Sequence, residues 1–321
     1  MYIYLHRIRT KVNIMCARRG HVCPLSHVQD GVWAVGKSLG SGSFGEVYEC
    51  THVQTGEEYA VKFEDTTTDS KRQLSYENAV YAEIQKAGAW PNMSVLYFGH
   101  EGKYDVMVMP RYGKNLQTMS PMPTKIGIMI AIFLMDEIQQ MHNAGFVHRD
   151  IKPANVMISR DNMTIYLRDV GLAKKFRHSN GRHIEYCEHK GLVGTPRYAS
   201  MFTHRGQQSS RRDDMESIMY TLVDLVGGGV PWKHMGKKKK KKKRDSCTRS
   251  RSRSRSRQRR ERNLAIYNAK RDCDTTELFR LIGPHSASVL RHIRNLPFLA
   301  KPDYAGYTRA LLKDYDAAPE N

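Results

Sequence analysis

The sequence predicts a bilobal α+β fold, in which a small antiparallel β-sheet lobe with one main helix precedes a larger, mostly helical lobe. Two observations predict it. Short runs of β-branched and aromatic residues, separated by Gly, Asn and Asp, fill residues 33–109. Helical periodicity dominates from residue 126 onward. We therefore assign residues 31–109 to the first lobe and residues 110–321 to the second.

The first lobe contains several predicted strands and one helix. Leu74, Asn78, Tyr81 and Ile84 recur at spacings of three and four, which predicts an amphipathic helix of about twelve residues. The strands have the β-rich composition of half-buried segments and lie at residues 47–50, 59–63, 95–98 and 106–109.

The second lobe is read as a set of helices. Residues 126–142 have a long apolar face, and residues 215–226 form an apolar helix after an acidic start. The longest apolar run, residues 126–135, is half of the roughly twenty residues that a membrane-spanning helix needs, so we expect no membrane span. Further helices are predicted at residues 264–281, 287–296 and 304–315.

The positive charge is concentrated in two segments. The 321 residues carry a formal net charge of +20, with 52 Lys and Arg against 32 Asp and Glu. Residues 237–262 hold 16 Lys or Arg and 2 acids, a net +14, and residues 1–30 hold 5 and 1, a net +4, which leaves +2 for the rest. The body is therefore nearly neutral. We read residues 1–30 as a flexible basic extension and residues 237–262 as a disordered insertion in the second lobe.

The basic insertion, residues 237–262, consists of seven lysines followed by an Arg-Ser repeat. Three functions compete for it: a nuclear import signal, which its composition favours; non-specific contact with RNA or acidic partners; and phosphorylation of its serines. A solvated charge run without a dedicated role is the plain alternative. No secretory signal precedes the six cysteines, so we expect reduced thiols in a nuclear or cytoplasmic protein. We also expect the protein to be a monomer.

A glycine-rich run begins the β-rich lobe. Glycines let backbone N–H groups approach phosphate oxygens closely, because no side chain intervenes. Strand-type residues follow the run, which predicts a hairpin loop rather than the strand-to-helix turn of a dinucleotide-binding fold. A plain surface hairpin remains the alternative for this run alone. It fits the pattern G-x-G-x-x-G-x-V and comprises Gly40, Ser41, Gly42, Ser43, Phe44, Gly45, Glu46 and Val47.

Lys62 stands in an otherwise apolar strand run, seventeen residues after Gly45. A lysine in such a strand either extends its amino group to solvent or holds an anion. Glu77, on the helix that follows, is placed to pair with Lys62 and to fix the ammonium near the phosphates of a nucleotide.

The most specific run is residues 148–155, which read His-Arg-Asp-Ile-Lys-Pro-Ala-Asn. It supplies an acceptor for a hydroxyl proton (Asp150), a cation for a transferred phosphoryl group (Lys152) and an amide oxygen for Mg²⁺ (Asn155). Nineteen residues past Asp150, Asp169 adds a carboxylate for the metal that bridges the phosphates. Phosphoryl transfer requires positioning and charge neutralisation, and this set supplies both.

With these motifs the chain resembles a eukaryotic protein kinase with a serine/threonine pattern at residues 150–152. Narrower features resemble the casein kinase 1 family. The matching stretches are VKFE at residues 61–64, GLAKKF at 171–176, GTPRYAS at 194–200, SRRDDMES at 210–217 and KPDY at 301–304. The resemblance implies the bilobal protein kinase fold, ATP and Mg²⁺ as cofactors, and transfer of the γ-phosphoryl group to Ser or Thr of protein substrates.

The resemblance also implies roles for further residues. Thr195 would brace Asp150 and Lys152, and Asp214 would hold the catalytic loop from beneath. Residues 110–112 would form the hinge that contacts the base. Arg197 and Lys190 would form an anion pocket for an acidic or pre-phosphorylated substrate residue, with plain surface charge as the alternative. The adenine would be enclosed by the apolar side chains Val47, Ala60, Met109 and Met157.

The sequence departs from the family pattern at the metal-binding run. Val170 replaces an aromatic residue, and Arg168 stands where the family has an apolar one, so its cation would pair with Asp169 or touch a phosphate. Pro110 replaces an acid at the hinge. These departures leave one alternative function open, a catalytically weak or dead kinase-like scaffold that docks nuclear or RNA-processing partners through its Arg-Ser segment.

Overall fold

The computed structural model describes residues 24–42, 45–67, 72–91, 93–162, 164–235 and 248–320. The chain divides into two compact units, of which the first comprises Met1–Leu116 and Asn155–Ala173, and the second Gln117–Ala154 and Lys174–Asn321. The sequence places one boundary after residue 109. The division differs because Gly113 and Lys114 exchange backbone hydrogen bonds with Ile158, at 2.7 and 2.9 Å, which attaches the segment after Asn155 to the first unit.

The first unit is built on an antiparallel sheet of six strands in the order β1-β2-β3-β4-β6-β5. Its core is formed by buried side chains that alternate along the strands, among them Tyr48, Val61, Phe63 and Val108. The strands are β1 (His27–Val28), β2 (Trp33–Gly42), β3 (Gly45–His52), β4 (Glu58–Asp65), β5 (Tyr97–Glu101) and β6 (Tyr104–Pro110). This arrangement confirms the predicted antiparallel sheet.

One helix, α1 (Gln73–Lys86), accompanies the sheet and buries Leu74, Tyr81 and Ile84, as the periodicity predicts. The Glu64 carboxylate accepts hydrogen bonds from the backbone N–H groups of Gln73, at 3.0 Å, and Leu74, at 2.8 Å. These N–H groups have no partner within the helix, so strand β4 caps the helix that follows it.

A short hairpin completes the first unit. Its strands are β8 (Val156–Ile158) and β9 (Ile165–Leu167), which pair antiparallel and follow strand β7 (Phe146–Val147) in the chain. Asn155 precedes one strand and Arg168 follows the other, and the N–H of Arg168 donates to the carbonyl oxygen of Asn155 at 2.8 Å. The hairpin therefore brings residues 155 and 168 together although they lie thirteen positions apart.

The second unit is mostly helical, as predicted. Its central helix, α4, is buried at every residue from Arg211 to Val226. The helices are α2 (Thr124–Asn143), α3 (Met201–His204), α4 (Arg211–Gly227), α5 (Thr248–Asp272), α6 (Thr275–Leu278), α7 (Pro284–Ile293) and α8 (Tyr304–Ala317). Two short strands, β7 (Phe146–Val147) and β10 (Lys174–Lys175), pair antiparallel in the same unit. Among the described residues, no helix is long and apolar enough to cross a membrane.

The disorder predicted for residues 237–262 stays a prediction, because residues 236–247 lie outside the described residues. The remaining residues of that segment form the first part of helix α5. Residues 256–262 are exposed, whereas Ile266 and Lys270 further along are buried. Packing at the C-terminal half gives the helix an anchor, and arginine, a good helix former, continues it outward.

The basic extension predicted at residues 1–30 lies outside the described residues as far as residue 23. From residue 24 onward the chain is described, and Leu25 and Val28 pack on the core of the sheet. Val28 is 1% exposed in the core of the sheet, with Leu25 against the same cluster. Strand β1 contributes this contact by pairing with β2.

Candidate functional site

The first unit contains a buried ion pair between strand β4 and helix α1. The Nζ atom of Lys62 lies 2.6 Å from Oε2 of Glu77, and both side chains are nearly inaccessible to solvent. Burial lowers the pKa of Lys62, but the charges of Glu77 and Asp169 more than offset it, so that the pKa lies above its ordinary value. Lys62 is thus a permanent cation at neutral pH, and it faces two carboxylates.

Asp169 is placed at the end of the β8–β9 hairpin with one carboxylate oxygen unsatisfied. Its Oδ1 atom is buried and has no hydrogen-bond partner among the described residues. Its backbone has φ 70°, which is uncommon for a residue other than glycine. The N–H of Asp169 donates to the hydroxyl of Tyr81 at 3.2 Å, which ties the residue to helix α1. A buried carboxylate oxygen without a donor is costly unless a cation occupies the space before it.

The residues of the first unit fit a magnesium ion with a nucleotide. Lys62 faces both Glu77 and Asp169, and burial together with the charge of Asp169 raises the pKa of Glu77 despite the opposing effect of Lys62. A cation bound in front of Asp169 would offset this crowding of two carboxyl groups. Asn155 and Asp169 supply an amide and a carboxylate oxygen, the ligand types that Mg²⁺ prefers when phosphates and waters complete its shell. Among the described residues there is no group of three or more His, Cys, Asp or Glu that would form an all-protein metal cage.

Arg168 does not form an ion pair with Asp169 within the described part of the chain. Its guanidinium lies among three aromatic rings, with the central carbon 4.5 Å from the ring centroid of Tyr166, 4.8 Å from Tyr112 and 5.9 Å from Trp90. Nε donates to the Tyr112 hydroxyl at 2.7 Å, and Nη1 donates to the Leu167 carbonyl at 2.7 Å. The cation is therefore held by π faces and neutral oxygens, which leaves the Asp169 carboxylate available.

The post-metal segment is attached to helix α1 although Val170 has no aromatic ring. Val170 is fully buried. Gln73 donates to the carbonyl oxygen of Gly171, and the Tyr76 hydroxyl donates to the carbonyl oxygen of Ala173 at 2.9 Å. Two side-chain hydrogen bonds thus link the helix that carries Glu77 to the segment that carries Asp169.

The predicted adenine-contacting side chains share one face of the sheet with Lys62. Val47 pairs with Lys62 across β3 and β4, and Ala60, two residues from Lys62 on the same strand, pairs with Met109 on β6. Val47 and Met109 are half-buried, as is Met157 on β8, so each retains apolar surface for a ligand to cover. Met157 is bridged to Asn115 in the same unit.

The glycine-rich run forms the predicted hairpin, because β2 and β3 pair antiparallel and Gly42 at the end of β2 lies opposite Gly45 at the start of β3. A Cβ atom at Gly45 would lie 2.2 Å from the carbonyl oxygen of Phe63, so close packing against β4 requires glycine there. A Cβ atom at Gly40 would meet nothing within 4 Å. Ser43 and Phe44 lie outside the described residues, and the side chain of Ser41 is not described.

The second unit holds the predicted catalytic loop. Asp150 is 7% exposed, and its Oδ1 accepts hydrogen bonds from the N–H and the hydroxyl of Thr195, both at 2.8 Å. Lys152 donates to Oδ2 of Asp150 and lies 3.3 Å from the Thr195 hydroxyl oxygen. A Cβ atom at Gly194, which has φ +81°, would lie 2.2 Å from the carbonyl oxygen of Arg149, so glycine allows this approach.

Asp214 supports the same loop from helix α4. Its carboxylate accepts hydrogen bonds from the backbone N–H groups of His148 and Arg149, both at 2.8 Å, and from Nε2 of His142 at 2.9 Å. Burial raises the pKa of Asp214, but these donors outweigh it and hold the pKa below its ordinary value. The carboxylate therefore remains ionised and fixes the loop backbone before Asp150.

The anion pocket predicted for Lys190 and Arg197 stays a prediction, and each of the two residues has contacts of its own. Lys190 lines a cavity of about 250 Å³ with Arg149 and Lys174, whereas Arg197 is not among its lining residues. The Arg197 guanidinium lies 5.8 Å from the ring centroid of Tyr198 and donates to the carbonyl oxygen of Lys233 at 3.5 Å. Burial, Arg149 and Lys190 lower the pKa of Lys174, as expected where cations crowd together.

Sequence reasoning missed several residues that build these groups. Tyr81 follows Glu77 by four positions and so lies on the same face of helix α1. Periodicity predicts that Tyr81 is on the helix, but it gives no indication that its hydroxyl accepts a hydrogen bond from Asp169. Arg149 and Lys174 had no sequence signal as a cavity pair, because they lie twenty-five positions apart and meet only through the fold.

One comparison bears on identity. Residues 33–282 match the family model described as the protein kinase domain. The matched range contains five of the six strands of the β-sheet, helix α1, both carboxylate-bearing loops and most of the helical region. The fold is accordingly the kinase fold, an N-terminal antiparallel sheet with one helix followed by a mostly helical region. The chain therefore belongs to the protein kinase domain family.

Proposed function

We propose that this protein is a serine/threonine protein kinase, related to the casein kinase 1 family, that transfers the γ-phosphoryl group of ATP to protein substrates. The observation that carries the proposal is the buried, unpartnered Oδ1 of Asp169, which interacts electrostatically with the Lys62–Glu77 ion pair. A structural ion pair alone would not need a second carboxylate with an unsatisfied oxygen. The casein kinase 1 relation is supported by the runs at residues 194–200 and 210–217.

In the first unit, Lys62 would bind the α- and β-phosphates, and Glu77 would orient it. Asn155 and Asp169 would bind Mg²⁺, which supplies charge neutralisation at the phosphates when bound. Val47, Ala60, Met109 and Met157 would cover the adenine faces with their apolar surface, and the glycine-rich hairpin that ends at Gly45 would present backbone N–H groups to phosphate. Because Arg168 is held among aromatic rings, it does not compete for the Asp169 carboxylate.

In the second unit, Asp150 would accept the proton of the substrate hydroxyl. The hydroxyl oxygen forms a bond to the γ-phosphorus, the bond from the γ-phosphorus to the β–γ bridging oxygen breaks, and ADP leaves. Thr195 holds one oxygen of Asp150 with two hydrogen bonds, so the carboxylate is pre-oriented. Lys152 would stabilise the negative charge on the transferred group.

The substrate preference would be for acidic or phosphorylated residues near the target hydroxyl. The cavity lined by Arg149, Lys174 and Lys190 supports it, because three cations surround about 250 Å³ of space. A phosphate or carboxylate there would relieve the repulsion that lowers the pKa of Lys174. Arg197, predicted to share this pocket, is assigned no role in it.

The test is transfer of ³²P from ATP to casein and to the protein itself. We expect transfer by the wild type, and a loss on the order of 10²–10⁴-fold in Asp150→Asn, because the proton acceptor is removed. Arg160→Ala is the matched control, since Arg160 is a half-exposed residue of the first unit that pairs with Glu58. It is expected to retain wild-type transfer.

The scaffold alternative is separated by a binding measurement. We expect ATP with Mg²⁺ to raise the unfolding temperature of both the wild type and Asp150→Asn, and we expect that shift to vanish in Asp169→Asn. A shift without any transfer under Mg²⁺ or Mn²⁺ would leave a nucleotide-binding scaffold. If neither the shift in unfolding temperature nor the transfer of phosphate is observed, the proposed use of ATP is contradicted.

For the basic insertion, residues 237–262, we propose a nuclear import signal. The exposure of residues 256–262 supports it, because an import receptor must reach the Lys and Arg side chains. Deleting residues 237–262 is expected to abolish nuclear accumulation of a fluorescent fusion. Unchanged accumulation would contradict the import signal, and steeply salt-dependent RNA binding by the intact chain would then favour non-specific RNA contact.

A further inference from the structure

The segment that holds the catalytic loop, residues 195–199, has an unusual backbone. Each of its five carbonyl oxygens accepts a hydrogen bond. Buried backbone carbonyls are nearly always hydrogen-bonded, and here side chains supply most of the donors because the segment lies outside any helix or sheet ladder. The donors are the N–H groups of Tyr198 and Ala199 to Thr195, Lys270 and His204 to Pro196, Trp232 to Arg197, Ser217 to Tyr198, and Lys270 to Ala199.

Lys270, on helix α5, is the one donor in that set that serves two carbonyls. Its side chain is 0% exposed, and Nζ donates to the carbonyl oxygen of Pro196 at 3.0 Å and to that of Ala199. The amino group also lies 4.5 Å from the ring centroid of Tyr220 and 5.3 Å from that of Trp232. A lysine is almost never buried this completely without a stabilising arrangement of this kind.

The two carbonyls bound by Lys270 lie on either side of the turn that follows Thr195. Thr195 in turn binds Asp150 through both its N–H and its hydroxyl. We propose that Lys270 is a positioning residue for the catalytic base: it fixes the turn at residues 196–199 and thereby the two hydrogen bonds from Thr195 to Asp150. The inference rests on the proposed function, in which Asp150 accepts the substrate proton.

The surroundings of Lys270 agree with this role. Burial lowers its pKa well below the ordinary value, with Glu216 acting in the opposite direction and Arg294 in the same one. A group that is costly to bury is retained where its geometry is specific, and an apolar side chain of equal length would fill the space without binding either carbonyl. The exposed residues 256–262 lie on the same helix, α5, as Lys270.

The experiment compares Lys270→Met with Asp314→Asn. Asp314 is a buried carboxylate of the same unit that accepts hydrogen bonds from the N–H groups of Ser286, at 2.6 Å, and His285, at 3.2 Å, so its loss destabilises the unit elsewhere. With phosphotransfer measured well below the unfolding temperature of each variant, we expect Lys270→Met to lower kcat at least about 30-fold and to leave the KM for ATP within about threefold. Asp314→Asn is expected to keep kcat within about twofold of the wild type.

A second readout follows the contact itself. The amide hydrogen of Thr195 is donated to Asp150, so its exchange with deuterium reports whether that hydrogen bond persists. We expect exchange at Thr195 to accelerate at least about tenfold in Lys270→Met and to stay unchanged in Asp314→Asn. In Lys270→Gln, which keeps a donor for one carbonyl, the exchange rate at Thr195 is expected to lie between those of Lys270→Met and the wild type. This variant replaces Lys270→Met in both measurements if Lys270→Met does not fold.

The outcomes are distinguishable. If Lys270→Met and Lys270→Gln both keep kcat within twofold and Thr195 exchange at the wild-type rate, the positioning role is wrong. If the variants lose kcat but Thr195 exchange is unchanged, the proposed route through Thr195 is wrong. A wild type without phosphotransfer would overturn the proposed function, while Thr195 exchange would still decide whether Lys270 holds the turn.

Discussion

Each unit of this protein buries a cation that lacks a hydrogen-bonded carboxylate among the described residues, and the two are held differently. In the first unit, Arg168 lies among three aromatic rings next to Asp169. In the second, Lys270 donates to two backbone carbonyls under the turn that braces Asp150. A planar guanidinium suits stacking on rings, whereas an ammonium is a point donor that suits carbonyl oxygens. Among the described residues, Arg168 forms no ion pair with Asp169 and Lys270 forms none with Asp150.

The difference also concerns charge. A guanidinium stays protonated at every accessible pH. The Lys270 amino group has a pKa well below its ordinary value because it is buried. The aromatic cage therefore holds a permanent cation beside the proposed metal ligand, while the carbonyl pair holds a group that can lose its charge.

The largest expected effect is from Arg168→Ala. It removes contacts to three rings and two hydrogen bonds of a charged group, so we expect a loss of about 3–5 kcal/mol in the free energy of unfolding. Arg160→Ala is the control, because it removes a half-exposed arginine from the same unit and should cost less than about 1 kcal/mol. Urea denaturation measures both. Equal losses would show that the rings hold Arg168 without stabilising the unit.

The pH dependence of stability separates the two cations. Between its lowered native pKa and the unfolded value of 10.5, Lys270 is protonated in the unfolded chain and neutral in the folded one. The unfolded state then binds more protons, so this contribution to stability rises with pH, by up to about 1.4 kcal/mol per pH unit. We expect the difference in unfolding free energy between the wild type and Lys270→Met to show this slope.

The corresponding difference for Arg168→Met should be flat with pH, because the guanidinium is charged in both states. Glu216, Arg294, His204 and Tyr220 face Lys270. The His204 pKa itself depends on the Lys270 charge, so the slope is measured well above pH 6.5, where His204 is neutral in both the folded and the unfolded chain. A flat difference for Lys270→Met would mean that its charge is retained on folding.

The sequence predicts a catalytic set, but it does not predict the residues that surround the two buried cations. Lys62, Glu77 and Asp169 could be proposed because a nucleotide and its metal require particular residue types at particular spacings. The helix and strand positions followed from periodicity. Arg168 stood out as a charged residue in an apolar run, yet the sequence favoured a carboxylate or phosphate partner. Its true neighbours include Trp90 and Tyr112, which the chain reaches only through the sheet and hairpin packing.

Helix α5 shows where composition stops being informative. Composition alone predicts disorder, because like charges repel and nothing apolar is available to bury. Helix α5 nevertheless includes residues 248–262, and its residues Ile266 and Lys270, beyond the predicted boundary at residue 262, are buried in the second unit. A boundary set by composition cannot detect an anchor that lies one or two turns further on.

A smaller effect is expected from Tyr112→Phe. It removes the hydroxyl that accepts from Nε of Arg168 but keeps the ring, so we expect a loss of about 1.5–2 kcal/mol. Tyr166→Phe keeps the ring that lies 4.5 Å from the same guanidinium and should change stability by less than about 0.5 kcal/mol. If both substitutions cost the same, the ring contacts rather than the hydrogen bond hold Arg168.

The smallest expected effect is a shift in the titration of His204. Burial, followed by the charge of Lys270, lowers the pKa of His204 to about 4. A histidine whose folded pKa is depressed loses stability as pH falls from its unfolded value of 6.5 toward 4, because the unfolded chain takes up the proton first. Removing the Lys270 charge in Lys270→Met should raise the His204 pKa by no more than about one unit, since burial, the larger cause, remains. NMR titration measures it, with His142, whose pKa is lowered by burial without Lys270 among its causes, as the unshifted control. An unchanged pKa of His204 would indicate that the amino group of Lys270 is already neutral in the folded protein. Lys270 would then not be a buried cation comparable to Arg168.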